Sequence, residues 1–176
     1  MKGDSDDMNS FWKTILWSQF GAAMDMLANA VRACPDELWT DRSQHLQFWY
    51  VVYHTLFFLD LYLSGTLEGF RPPAPFTLDE LDPSGRKPER PYTKNESLAY
   101  LEHCRAKCRT TIETLTDANV RQRCPFPWWQ GGEMSFGELL LYTMRHVQEH
   151  TAQLSLMLGQ THNLPPDWDD WIGRTS

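Results

Sequence analysis

Apolar side chains recur at helical spacing in four stretches of this chain, and proline, glycine and capping residues break that spacing between them. The first stretch runs from about Asn9 to Arg32. Phe11, Ile15, Phe20, Met24, Leu27 and Val31 fall near one stripe, and Pro35 stops the helix. The second runs from about Gln44 to Ser64 and is apolar nearly all round, which predicts a largely buried helix. Ser43 is placed to cap its start and Gly65 to mark its end. The third, from about Lys94 to Thr116, opens on Thr93-Lys94-Asn95-Glu96. That is a capping box, in which the threonine oxygen takes an orphan amide and the glutamate reaches back. The fourth, from about Phe136 to Leu158, opens on a second box, Ser135-Phe136-Gly137-Glu138, with Gly159 as its stop. No strand pattern and no internal repeat stands out.

The expected fold is all-α: one four-helix bundle domain spanning residues 1–176. A chain of 176 residues favours a single core, and one of this size buries roughly 70% of the surface its unfolded form exposes. The short link at Pro35-Asp36 predicts that helices one and two are antiparallel neighbours. Helices two and three are separated by Thr66 to Tyr92, which holds six prolines and cannot be a regular element. It is long enough to travel the length of a bundle, so a crossover there lets helices two and three run parallel. The tail from Leu164 to Trp171 carries two tryptophans that are costly to leave in water. It is expected to pack on the bundle or on a second subunit.

The net charge of -7 argues against a nucleic-acid surface, which needs a basic stripe. The short run Arg86-Lys87-Pro88-Glu89-Arg90 reads as a solvated loop. The acidic start, Met1 to Asp7, has no apolar leader core. A cytoplasmic protein with reduced thiols at Cys34, Cys104, Cys108 and Cys124 is therefore expected. No apolar run approaches the ~18 residues of a membrane span. Cys104 and Cys108 have ligand-like spacing, but they continue the stripe of Leu98, Leu101, Ile112 and Leu115 and read as small core residues. Cys124, in a loop, is a candidate reactive thiol.

The chemistry-bearing constellation is histidine. His146 and His150 are four residues apart on the fourth helix, hence on one face and a turn apart, a spacing that lets two imidazoles meet one metal ion. They share a stripe with Leu139, Thr143, Leu154 and Met157, so they look into the core. His54 lies in the apolar run Val51 to Phe58, where an isolated imidazole costs on the order of 2 kcal/mol unless it finds a partner. His54 sits roughly 14 Å from its helix start and His146 roughly 15 Å from its own, at about 1.5 Å per residue. Both are near mid-height, and bundle cores build metal sites in this way. The plainer alternative is hydrogen-bonded core histidines. The fragment His146 to His150 also fits the inverted zinc-peptidase motif, but no glutamate follows Glu149 to serve as third ligand. Glu149 is turned about 100° from His150 around the helix, a poor placement for a base. Tyr50, Tyr53 and Thr143 are candidate supporting donors, with plain packing as the alternative. His45, on the face opposite His54, His103 on a polar face, and His162 beyond the last helix read as ordinary.

Two segments, Phe48 to Leu56 and His146 to Leu154 followed by Gly159-Gln160, together with the long second crossover, resemble the DinB-like (DinB/YfiT) superfamily. The resemblance implies an up-down-down-up bundle, often a homodimer, with His54, His146 and His150 as ligands of a divalent metal, usually zinc or nickel. It further implies thiol-dependent chemistry, with a low-molecular-weight thiol as a second cofactor. Characterised relatives include S-transferases using low-molecular-weight thiols and a mycothiol-dependent maleylpyruvate isomerase. The Trp-rich loop 124–131 has no counterpart in that pattern. The expected function is accordingly a metal-dependent enzyme of unknown substrate, with an S-transferase-like activity as the form the resemblance implies. The alternatives are a non-catalytic metal or small-ligand binding stress-response protein and a purely structural bundle.

Overall fold

The computed structural model describes residues 3–43, 45–129 and 132–162, with the side chains of residues 3–9 and 161–162 outside that description. The chain is mostly helical. Its elements are α1 (Gly3–Ala33), α2 (Asp36–Thr40), α3 (Phe48–Leu63), a 3-10 turn (Asp79–Leu81), α4 (Lys94–Glu113), α5 (Asp117–Val120), β1 (Arg123–Cys124), β2 (Met134–Ser135) and α6 (Phe136–His162). Among the described residues no helix is long and apolar enough to cross a membrane. The tail predicted to pack on the bundle lies outside the described residues.

Both predicted capping boxes form. Thr93 accepts from the Glu96 amide while the Glu96 carboxylate takes the Thr93 amide. Ser135 and Glu138 make the same reciprocal pair at the start of α6. Gly65 follows α3 at φ +70°, the left-handed conformation a helix stop requires, and its amide bonds the Tyr62 carbonyl.

Other boundaries move for local reasons. Helix α1 begins at Gly3 and not Asn9, because no breaker lies between them. Helix α3 begins at Phe48 and not Gln44. Ser43 is spent on a turn, its amide and hydroxyl both bonding Asp41 Oδ1, so extended Gln47 becomes the cap position. His45 therefore sits outside the helix, exposed. Helix α4 ends at Glu113, since Thr116 begins a new cap with Asn119 for α5. Helix α6 continues through Gly159 to His162, so Gly159 does not stop it and His162 is not beyond it.

Helix α1 packs against α4 and α6, and α3 packs against the same two. The first and second long helices thus occupy opposite corners and are not the neighbours expected from their short link. The link is not a simple turn: it contains α2, which packs on α3 through buried Leu38 and Trp39. Trp39 Nε1 donates to the Tyr92 carbonyl at 2.9 Å and fastens this corner to the end of the crossover. The core is continuous, with Phe20, Met24 and Leu27 of α1 meeting Phe48, Val52, Phe57 and Leu61 of α3 and Leu139, Val147 and Leu154 of α6 in one buried cluster. A two-residue antiparallel ladder, Arg123 opposite Ser135 and Cys124 opposite Met134, was not legible as a strand pattern. It closes the base of the Trp-rich loop.

Candidate metal centre

His54 comes from α3, and His146 and His150 come from successive turns of α6. Their ring nitrogens converge. His146 Nε2 lies 3.2 Å from His54 Nε2 and 3.0 Å from His150 Nε2. One nitrogen from each of the three rings falls within 4.8 Å of the others, the arrangement of a group able to hold a metal ion. All three predicted site histidines are therefore brought together.

The opposite ring nitrogens decide which atoms face the centre. A carboxylate only accepts, so His54 Nδ1 donates to Glu80 Oε1, at 2.5 Å. His150 Nδ1 donates to Gln153 Oε1 at 2.9 Å. These partners assign the Nδ1–H tautomer to both rings and leave both Nε2 lone pairs directed at His146. His146 Nδ1 is buried and has no hydrogen-bond partner. Burial, then the neighbouring His150 and His54, push the His146 pKa down to about 3. Burial also lowers His150, partly offset by its bond to Gln153. The neutral form so favoured is the form that ligates metal.

This geometry passes a simple fit test. Two nitrogens bound at ~2.0–2.1 Å to a tetrahedral centre stand roughly 3.3 Å apart, close to the two separations here. Three mutually facing imidazole nitrogens cannot all be satisfied by one another's protons, whereas a single cation satisfies every lone pair at once.

The surroundings are aromatic. Phe58 packs on His54 and His146, with ring centroids 4.8 and 5.8 Å away. Tyr142 lies nearly parallel to His146 at 6.3 Å. The Trp-rich loop folds over this wall: Trp128 sets its ring edge-on to Phe58 at 5.9 Å and donates its Nε1–H to the Tyr62 hydroxyl at 3.2 Å. Trp129 packs on Tyr142 and Phe126.

The other candidate side chains fall in different places. Tyr53 donates to the Thr77 carbonyl and Thr143 to the Leu139 carbonyl, so both belong to packing and backbone bonding and not to the histidine cluster. Tyr50 does stand near the site: after burial, its pKa is raised most by the charge of Glu80. Glu149 is exposed. Cys104 and Cys108 are buried in the core as expected. Cys124 is also buried, and burial followed by the nearby Glu133 raises its pKa, opposite to what a reactive thiol needs. Sequence reasoning missed Glu80, Gln153, Phe58, Tyr62 and Trp128. Gln153 was findable, since it lies three residues past His150 on the same helix. Nothing local distinguishes Glu80 from Asp79 or Asp82.

A comparison with curated proteins returns no match. The family model described as the DinB superfamily matches residues 19–154, which takes in the three histidines, both flanking helices and the crossover between them. The chain belongs to the DinB superfamily.

Proposed function

We propose that the protein binds one divalent metal ion through His54, His146 and His150 and uses it in catalysis on a small molecule. The observation that carries this reading is the convergence of three imidazole nitrogens from two separate helices, two of them with their remaining N–H groups already engaged. Zinc or nickel suits an all-imidazole donor set. A divalent ion held by three neutral ligands keeps an open position and supplies the Lewis acidity that brings a water or thiol toward ionisation near neutral pH.

The protein's own residues set the conditions. Imidazole ligands carry no formal charge of their own, so an ion held by these three rings would keep its positive charge and would favour an anionic nucleophile beside it. Phe58, Tyr142 and Tyr62 limit water on one side, so electrostatic interactions there are stronger than in bulk solvent. A thiol-dependent transfer is the family-based form of this reading. The bundle is read as up-down-down-up. Asp25 of α1 pairs with Arg105 of α4 and Lys13 with Glu113, an antiparallel sense. Tyr62 meets Tyr142 while His54 meets His150, the same sense for α3 and α6. A homodimer in a reducing cytoplasm remains part of the proposal.

The test is metal analysis of protein purified without a polyhistidine tag, followed by heat-stability screening against low-molecular-weight thiols. About one equivalent of metal, lost in His146→Ala, supports the reading; no metal and no uptake of added zinc or nickel overturns it. Stabilisation by a thiol in the metal-loaded protein alone favours transfer chemistry. Metal without any thiol effect favours the second reading, a non-catalytic metal or small-ligand binding protein.

A further inference from the structure

The proline-rich crossover contributes one side chain to the histidine cluster. Glu80 sits in the 3-10 turn Asp79–Leu81, and its side chain is 7% exposed although it belongs to a surface connection. Burying a carboxylate is costly without a charged or hydrogen-bonding partner. The close partner here is His54 Nδ1, at 2.5 Å. Three features hold the turn against the bundle. The Thr77 hydroxyl donates to Asp79 Oδ2 at 2.6 Å, Tyr53 of α3 donates to the Thr77 carbonyl at 2.9 Å, and Leu81 packs against the core. The Tyr50 phenol borders the same carboxylate, and Lys87 lies over the Tyr50 ring at 4.7 Å. The carboxylate is therefore seated by its surroundings and is not a loose surface acid that happens to touch a histidine.

We infer that Glu80 is a positioning residue for the metal centre: by accepting the Nδ1–H of His54 it fixes that ring's tautomer and orientation, so that Nε2 faces His146 and His150. This rests on the metal reading above. The physical reasoning is that an imidazole ligates through one nitrogen only if its proton is held on the other, and a carboxylate acceptor both holds it there and makes the ligating nitrogen more basic. Among the described residues, His150 has a neutral amide in the equivalent place and His146 Nδ1 has no partner, so the anionic hydrogen-bond acceptor falls on the one ligand that α6 does not supply. The crossover thereby becomes part of the site, although it donates no ligand.

The experiment compares wild type, Glu80→Ala and Glu80→Gln as full-length, tag-free protein stripped of metal. Zinc affinity is measured by competition with a chromophoric chelator, and nitrogen-15 spectra of the metal-free histidines report which ring nitrogen of His54 carries the proton. The wild type is expected to show His54 protonated on Nδ1. Glu80→Ala is expected to lose that preference and to bind zinc roughly 10–100-fold more weakly. Glu80→Gln, which keeps an oxygen acceptor, is expected to recover part of the loss. A purely structural glutamate would lower heat stability in both variants without this graded change in affinity. Glu80→Ala affinity within twofold of wild type, or His54 protonated on Nε2 in the wild type, overturns the inference. Should Glu80→Ala not fold, Glu80→Gln and the wild-type spectrum decide. Absence of zinc binding by the wild type removes the metal reading and this role together, whereas wild-type binding matched by Glu80→Ala removes this role alone.

Discussion

Replacing Lys107 with methionine isolates the buried charge at the α3–α4 contact, on the side of α3 away from the histidines. Asp60 is 1% exposed, and its carboxylate takes the Lys107 ammonium at 2.6 Å and the Tyr100 hydroxyl at 3.0 Å. Lys107 also donates to the Asp60 carbonyl at 2.8 Å and to Ser64 Oγ at 2.7 Å, so its three protons are all used. Methionine keeps the length of the stem and removes the charge. Taking one partner from a buried pair costs about 3–5 kcal/mol, because the other charge is left uncompensated. Two features reduce that figure: Lys107 is 28% exposed, and His103 remains 3.5 Å from the carboxylate. We expect a loss of about 2–3 kcal/mol, at or below the low end of that range. At roughly 2–4 °C per kcal/mol for a chain of this length, Tm falls by about 4–12 °C. The assay is thermal and urea denaturation followed by circular dichroism at pH 7. The double variant Lys107→Met with Asp60→Asn should recover much of the loss, because no charge then stays buried alone. Zinc affinity should not change in either. A single variant within about 0.5 kcal/mol of wild type, or a double variant no more stable than the single, would refute the reasoning.

Further tests reach other parts of the molecule. The Arg90 guanidinium, then the Thr93 cap, outweigh partial burial and hold the Glu96 carboxyl at about 2, below its ordinary 4.5. A depressed carboxylate pKa adds stability above about pH 4.5 that disappears as pH falls toward 2; with Arg90 largely in solvent it amounts to about 1 kcal/mol, so Glu96→Gln should be less stable than wild type by that much at pH 7 and equal to it near pH 2 in denaturant titrations. Gly65→Ala should cost about 1 kcal/mol in urea melts, since the position has φ +70° and a new Cβ would meet the Phe136 ring at 3.4 Å. The cysteines are free and buried, with burial raising the thiol pKa of each. Native protein at pH 7.5 should therefore react slowly with an aromatic disulfide reagent, and urea should release all four thiols; rapid labelling of Cys124 in native protein would contradict the burial described.

The histidine centre was legible because both of its determinants are local. Helical period places His146 and His150 on one face, and the apolar run around His54 demands a buried partner for that ring. The capping boxes were legible for the same reason, as was Gly65. What escaped depends on contacts between distant segments. Glu80 reaches His54 only because Tyr53 and Thr77 seat the crossover, and Trp128 reaches Phe58 only because a two-residue ladder closes its loop. Ser43 misled as a cap because Asp41 competes for it two residues away. The short link between the first two long helices misled about their adjacency because α2 was hidden inside it.

The diagonal placement of α1 and α3 has a consequence for how the molecule tolerates change. All three histidines belong to α3 and α6, while α1 and α4 supply none and instead carry anchoring pairs such as Asp25 with Arg105. On the proposed metal reading, the ligating side chains fall to the α3–α6 pair, and α1 and α4 buttress it. Substitutions on the outer face of α1 can accumulate with little reach into that pair, whereas its inner face packs directly on α6, where Gln148 donates to Met26 Sδ, so changes there are transmitted to the helix that carries His146 and His150.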